Sequence, residues 1–168
     1  MTSWQTLTSH LAELPASRLV LHHAVQPVAA AGQGLLPRAS DDSQQALALG
    51  PAGRLLGAPV AGGRLRAGLD VEALALLLCD AGGDVLVSAP LAGLTLAAAT
   101  DFLARALAER GAAGAPVLPA HPDDFPRHAI GAGAPFPPGD RTALGALSQL
   151  YTGAAPVLRA LSGAEPRL

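Results

Sequence analysis

The chain has 168 residues, of which 37 are alanine and 30 are leucine, and its formal net charge is −2. Half of the residues are apolar, which excludes an intrinsically disordered chain, and the length suits one domain. All eleven basic residues are arginines that form no cluster, so we expect no nucleic-acid partner. The sequence therefore predicts a single domain over residues 1–168.

The uncharged stretches of the chain do not resemble membrane-spanning segments. The two longest, 19–37 and 85–100, are interrupted by proline, glycine or polar residues, whereas a spanning helix needs about 20 predominantly apolar residues. The first residues also lack the basic start of a signal peptide. We therefore expect a soluble, cytoplasmic protein without a membrane partner.

The first forty residues favour helices. Apolar residues from Trp4 to Leu14 recur at helical spacing and predict a short helix that ends at Pro15. Ser17 is then predicted to cap a second helix. Its apolar stripe consists of Val20, Leu21, Ala24, Val25 and Val28. Because Pro27 lacks a backbone donor, we expect it to kink this helix or to shift its start.

The middle of the chain changes to the two-residue period of strands. Residues 64–70 show the clearest alternation of apolar and polar side chains. The other predicted strands are 45–49, 54–59, 73–79 and a return strand from Val85. Glycine-rich turns at 50–53 and 80–84 separate them, which predicts an antiparallel meander of four or five strands.

Two helices follow the predicted meander. Thr95 suits the N-cap of a helix over 95–110, and Gly111 suits the turn that ends it. A loop rich in proline and glycine, 112–139, leads to the last helix, which begins after Asp140. Helices flanking a meander predict an α+β fold, with the sheet packed against helices on one face.

Three short motifs accompany this order of elements. They are Gly50-Pro51-Ala52-Gly53, Pro59-Val60-Ala61-Gly62-Gly63 and Thr100-Asp101-Phe102. Together with the proline-rich loop, they resemble a group of uncharacterised bacterial proteins that carry a domain of unknown function. The resemblance covers about the first 160 residues. It implies the α+β fold and supplies no catalytic residue, and it implies that a C-terminal portion is missing from this chain.

Histidine is the first candidate for chemistry, because it titrates near neutral pH and is the commonest metal ligand. His22, His23 and Gln26 lie opposite the apolar stripe of the second predicted helix. They could line a cleft or bind a metal. The alternative is two surface histidines on an amphipathic helix, since adjacent helical residues diverge by about 100° and seldom share one ion.

The densest group of ionisable residues lies inside the long loop. It contains His121, Asp123, Asp124 and His128, which could supply imidazole and carboxylate ligands or an acid–base pair. The alternative is an ordinary solvated loop. Cys79, the single cysteine, ends an apolar run and is expected to be a small buried residue.

Missing residue types exclude several activities. Without lysine, the chain can form neither a Gly-Lys-Ser phosphate loop nor a Schiff base, and we expect no cofactor. The leading hypothesis is a non-catalytic protein-interaction module or a self-associating one, because the abundant leucine and alanine should leave an apolar helix face exposed. The alternative is a small-molecule-binding or metal-assisted enzyme that uses the histidine and aspartate cluster of the 112–139 loop.

Overall fold

A computed structural model describes residues 12, 14–118 and 127–164 of the chain. The helices are α1 (Leu14–Ala24), α2 (Gln26–Leu35), α3 (Leu96–Ala108) and α4 (Arg141–Ala164). The strands are β1 (Ala48–Leu49), β2 (Arg54–Leu56), β3 (Leu65–Asp70), β4 (Ala75–Asp80) and β5 (Val85–Pro90). None of the helices in these ranges is long and apolar enough to cross a membrane.

The five strands form one antiparallel sheet in the order β1-β2-β3-β4-β5. Leu69 of β3 lies opposite Leu76 of β4, and Ala67 lies opposite Leu78. These four side chains are almost completely buried and belong to one core that also includes apolar residues of all four helices. The structure therefore confirms the predicted α+β fold and the meander.

The other face of the sheet carries a second, much smaller cluster. It consists of Leu56, Leu77 and Cys79. Leu56 packs against β3, since a Cβ atom on Gly68 would come within 2.7 Å of Leu56 Cδ2. Burial raises the pKa of the Cys79 thiol and keeps it in the unreactive, protonated form. Cys79 is thus the small buried residue that the sequence predicts.

The element boundaries differ from the predictions mainly near the N-terminus and in the first strands. The helix predicted from Trp4 to Leu14 lies almost entirely outside the described residues. Pro15, which the sequence predicts to end it, lies in the first turn of α1, and Ser17 is therefore inside that helix rather than at its cap. Proline is tolerated there because the first N–H groups of a helix have no intrahelical partner. The predicted strand 45–49 shrinks to β1, and the segment Ser43–Gln45 before it forms a 3₁₀ turn.

The caps of the later helices follow the sequence. The Thr95 side chain accepts a hydrogen bond from Ala98 N–H at the start of α3. Asp140 accepts bonds from the backbone N–H groups of Thr142 and Ala143 at the start of α4. Gly111, just after α3, has a φ of +76°, a left-handed conformation that glycine adopts without the steric cost of a Cβ atom.

Helix α2 is rich in alanine and glycine, and neighbouring segments lie directly against its backbone. A Cβ atom on Gly32 would collide with the carbonyl oxygen of Gln44, and one on Gly34 would collide with that of Ala115. Val117 N–H donates to the Ala30 carbonyl across 2.9 Å. Small side chains on α2 therefore allow two loops to pack on the helix.

The buried side chain of Gln44 holds one of these loops in place. Its Oε1 atom accepts a hydrogen bond from Ala39 N–H at 3.0 Å, and its Nε2 atom donates to Gln33 Oε1 at 3.2 Å. These two bonds link the turn at Ser43–Gln45 to α2 and to the segment that follows α2.

This packing predicts opposite effects for two glycine-to-alanine substitutions in helices. Gly32→Ala forces the Gln44 turn away from α2 and should lower the free energy of unfolding by about 2 kcal/mol or more. Gly145→Ala in α4, where a Cβ meets no atom within 4 Å, should raise it by about 0.5–1 kcal/mol. Urea denaturation measures both, and equal effects of the two substitutions would contradict the close contact at Gly32.

Candidate functional site

The junction between α1 and α2 positions the first candidate side chains. The two helices are separated at Val25, and Pro27 lies in the first turn of α2. Backbone bonds from Val25 N–H to the Leu21 carbonyl and from Ala29 N–H to the Val25 carbonyl keep the helices almost continuous. His22 and Gln26 are therefore neighbours one helical turn apart.

Gln26 fixes the orientation of the His22 ring. Gln26 is only 7% exposed, and its amide N–H donates to His22 Nε2 across 3.1 Å. With the amide in this orientation, the imidazole accepts at Nε2 and carries its proton on Nδ1. The junction thus presents an exposed imidazole whose ring is held by a buried amide.

His23 points into the protein and contacts the end of the long loop. It is 1% exposed, and its ring stacks on that of His128 with a centroid distance of 5.2 Å and an interplanar angle of 28°. His128 Nδ1 accepts a hydrogen bond from Ile130 N–H, and a Cβ atom on Gly131 would lie 3.2 Å from His23 Cε1. The loop therefore packs on α1 through the His23 ring.

The structure brings four of the seven candidate residues together. His22, His23, Gln26 and His128 lie side by side, although His128 is more than one hundred positions away along the chain. His121, Asp123 and Asp124 lie outside the described residues. The alternative of two surface histidines holds for His22 alone, because His23 is buried under the loop.

The described histidines do not form a metal site. Within residues 14–118 and 127–164, no group of three or more histidine, cysteine, aspartate or glutamate side chains could hold an ion. The rings of His22 and His23 are nearly perpendicular, at 89°, with centroids 5.7 Å apart. The divergence of adjacent helical side chains thus persists in the fold, and a metal-assisted reaction gains no support from the described residues.

A groove opens beside His22, between α1, the first two strands and α4. We call it the His22 groove, and its volume is about 260 Å³. It is lined by Arg18, Leu21, His22, Val25, Leu47, Leu55 and Tyr151. Four of these seven residues are apolar, and Arg18 lies one turn before His22 on the same side of α1.

The described residues of the His22 groove include a positively charged side chain and no negatively charged one. None of its seven lining residues is acidic, and Arg18 is exposed and forms no ion pair within the described part of the chain. The ion pairs found there join Arg38 to Asp42 and Arg110 to Glu109. Arg18 therefore lies at an apolar groove without a carboxylate partner among the described residues.

The sequence prediction missed most of this groove. Arg18 could have been found, because it precedes His22 by four residues and shares its helix face. Leu47 lies just before β1, Leu55 lies in β2 and Tyr151 lies in α4, and only the packing of the fold brings them to the groove.

Comparisons of the chain with protein-family models, with curated proteins and with solved structures found no match. The function is therefore inferred from the geometry of the site.

The two adjacent histidines should differ sharply in their contribution to stability. His23→Ala removes a buried ring and leaves a cavity against His128, so we expect a loss of about 2–4 kcal/mol in the free energy of unfolding. His22→Ala removes an exposed ring with one side-chain hydrogen bond to Gln26 and should cost less than about 1 kcal/mol. Chemical denaturation distinguishes them; losses of similar size would contradict a structural role specific to His23.

Proposed function

We propose that the domain binds a small amphipathic molecule in the His22 groove and does not transform it. The observation that carries this proposal is the make-up of the groove, in which an apolar wall meets the polar groups of Arg18, His22 and Tyr151. Small-molecule sites in proteins are typically concave and mostly apolar, with a few polar groups that fix the orientation of the ligand.

The size of the groove favours a small ligand. A volume of 260 Å³ lies at or just below the lower end of the usual range for ligand pockets, about 300–1,000 Å³. It equals the bulk volume of about nine water molecules. A molecule of roughly ten non-hydrogen atoms would fill it, with an expected dissociation constant in the millimolar range or somewhat below.

The side chains of the groove favour binding over catalysis. The described lining residues include no serine, threonine, cysteine, aspartate or glutamate, so they provide neither an aliphatic hydroxyl or thiol nucleophile nor a pair of carboxylates. The Gln26 amide holds the His22 ring in one orientation. Such a fixed ring lowers the entropic cost of binding.

A neutral amphiphile provides the direct test of the groove. In methyl-labelled full-length protein, titration with 1-octanol should shift the resonances of Val25, Leu47 and Leu55, which line the groove. Leu47→Trp should fill the groove and abolish these shifts, whereas Val117→Trp, at a side chain that is 52% exposed and does not line it, should leave them unchanged. Shifts confined to other methyl groups, or no shifts, would refute the proposal.

Self-association remains a second candidate, favoured by the free edge of β5. This strand ends the sheet and carries no charged residue, and Val85 and Leu86 are 39% and 43% exposed. Leu91 N–H donates to the Leu74 carbonyl, so the alternation of the ladder turns the Ser88 amide away from β4. Unpaired edge groups of this kind can pair with a second copy around a two-fold axis.

Two features of β5 place this candidate second. The pairing with β4 is irregular at Leu78 and Cys79, where Leu86 is an extra residue in β5, and Pro90 removes a backbone donor at the end of the strand. Bulges and prolines are both devices that blunt sheet edges against pairing.

The second candidate predicts a dimer whose interface contains β5. Size-exclusion chromatography with light-scattering detection, at micromolar concentration, should give twice the mass of one chain. Leu86→Lys places a charge at the edge of the sheet and should reduce the measured mass to that of the monomer. Val117→Lys adds the same charge at another exposed apolar side chain and should leave the dimer intact. A monomeric wild-type protein would rule out this candidate.

A further inference from the structure

We infer that the His22 groove is selective for a monocarboxylate with a short apolar chain, such as a medium-chain fatty acid. This inference rests on the proposed function and adds to it the charge and shape of the ligand. Three features of the groove lead to it: an arginine that forms no ion pair with a described residue, a tyrosine that also lines the groove and an apolar wall.

The positive charge of Arg18 favours a ligand with a negatively charged polar group. Several other arginines in the described ranges donate to backbone carbonyls: the Arg66 side chain to that of Gly57 at 3.0 Å, and the Arg110 side chain to that of Ala106 at 3.1 Å. Arg18 makes no such bond in the described ranges, and none of the described residues that line the groove is acidic. A planar guanidinium with free donors matches a carboxylate, with which it forms paired hydrogen bonds.

Tyr151 supplies a second donor to the groove. It lines the groove from α4, and its hydroxyl makes no hydrogen bond to another described residue. A phenolic O–H can donate to the second oxygen of a carboxylate. Arg18 from α1 and Tyr151 from α4 would then hold the head of the ligand from two helices.

The remaining surface of the groove suits a single apolar chain. Leu21 is buried, and Val25, Leu47 and Leu55 are half-buried, so each leaves apolar surface beside the groove that a hydrocarbon chain can cover. The described lining residues include no second arginine for another carboxylate. The groove should therefore prefer a monocarboxylate to a dicarboxylate, an alcohol or an amine.

Three probes of equal chain length test this selectivity: octanoate, 1-octanol and octylammonium. Methyl resonances of Val25, Leu47 and Leu55 report their binding to the full chain at neutral pH. Octanoate should bind about three- to tenfold more tightly than 1-octanol, because Arg18 is exposed and its ion pair is partly screened. Octylammonium should bind more weakly than 1-octanol, and added salt should reduce the difference between octanoate and 1-octanol.

A charge-removing variant assigns the selectivity to one residue. Arg18→Gln should reduce the ratio of the octanoate and 1-octanol affinities to about one. Arg38→Gln removes another exposed arginine, which pairs with Asp42 and does not line the groove, and it should preserve the ratio. Unchanged urea midpoints confirm that both variants remain folded.

The outcomes separate this inference from the function on which it rests. If none of the three probes shifts the groove resonances, the proposed function fails, and the inference fails with it. If 1-octanol binds as tightly as octanoate, or if Arg18→Gln keeps the preference for octanoate, the inference of a carboxylate ligand is overturned while binding in the groove stands.

Discussion

The close approach of two loops to the backbone of α2 is the contact on which the rest of the fold depends. Gly32 and Gly34 leave room for the carbonyl groups of Gln44 and Ala115, and a larger side chain at either position would push a loop away. The Gln44 turn leads directly into Leu47 and β1. The position of the first strands relative to α1, and hence one wall of the His22 groove, follows from small residues on a different helix.

A single proline likewise determines the geometry at the junction of α1 and α2. Pro27 takes a position in α2 where a backbone donor has no intrahelical partner, so the chain can restart a helix with little change in direction. Gln26 is then buried one turn beyond His22 and holds its ring, while His23 turns inward beneath His128. The end of α1 thus places His23 in the protein interior and His22 beside the groove.

Local sequence patterns in this chain predict the secondary structure, but they do not predict contacts between residues far apart in the sequence. The alternation over 64–70 predicts β3, and Thr95 and Asp140 predict the starts of α3 and α4, because strand period and helix caps depend on neighbouring residues. Periodicity assigns His23 to a polar flank but cannot show that a loop more than one hundred residues away covers it. The groove escaped prediction for the same reason, since Tyr151 joins Arg18 only through the packing of α4 on α1.

The two proposed surfaces lie at different places in the sheet, which makes them independent. The His22 groove contacts β2 through Leu55, whereas the free edge belongs to β5, three strands away. At about 4.8 Å between neighbouring strands, the two strands are separated by about 14 Å. A second copy paired along β5 would extend the sheet away from β2 and leave the groove open. Self-association and ligand binding therefore do not compete for one surface, and each can be true or false without the other.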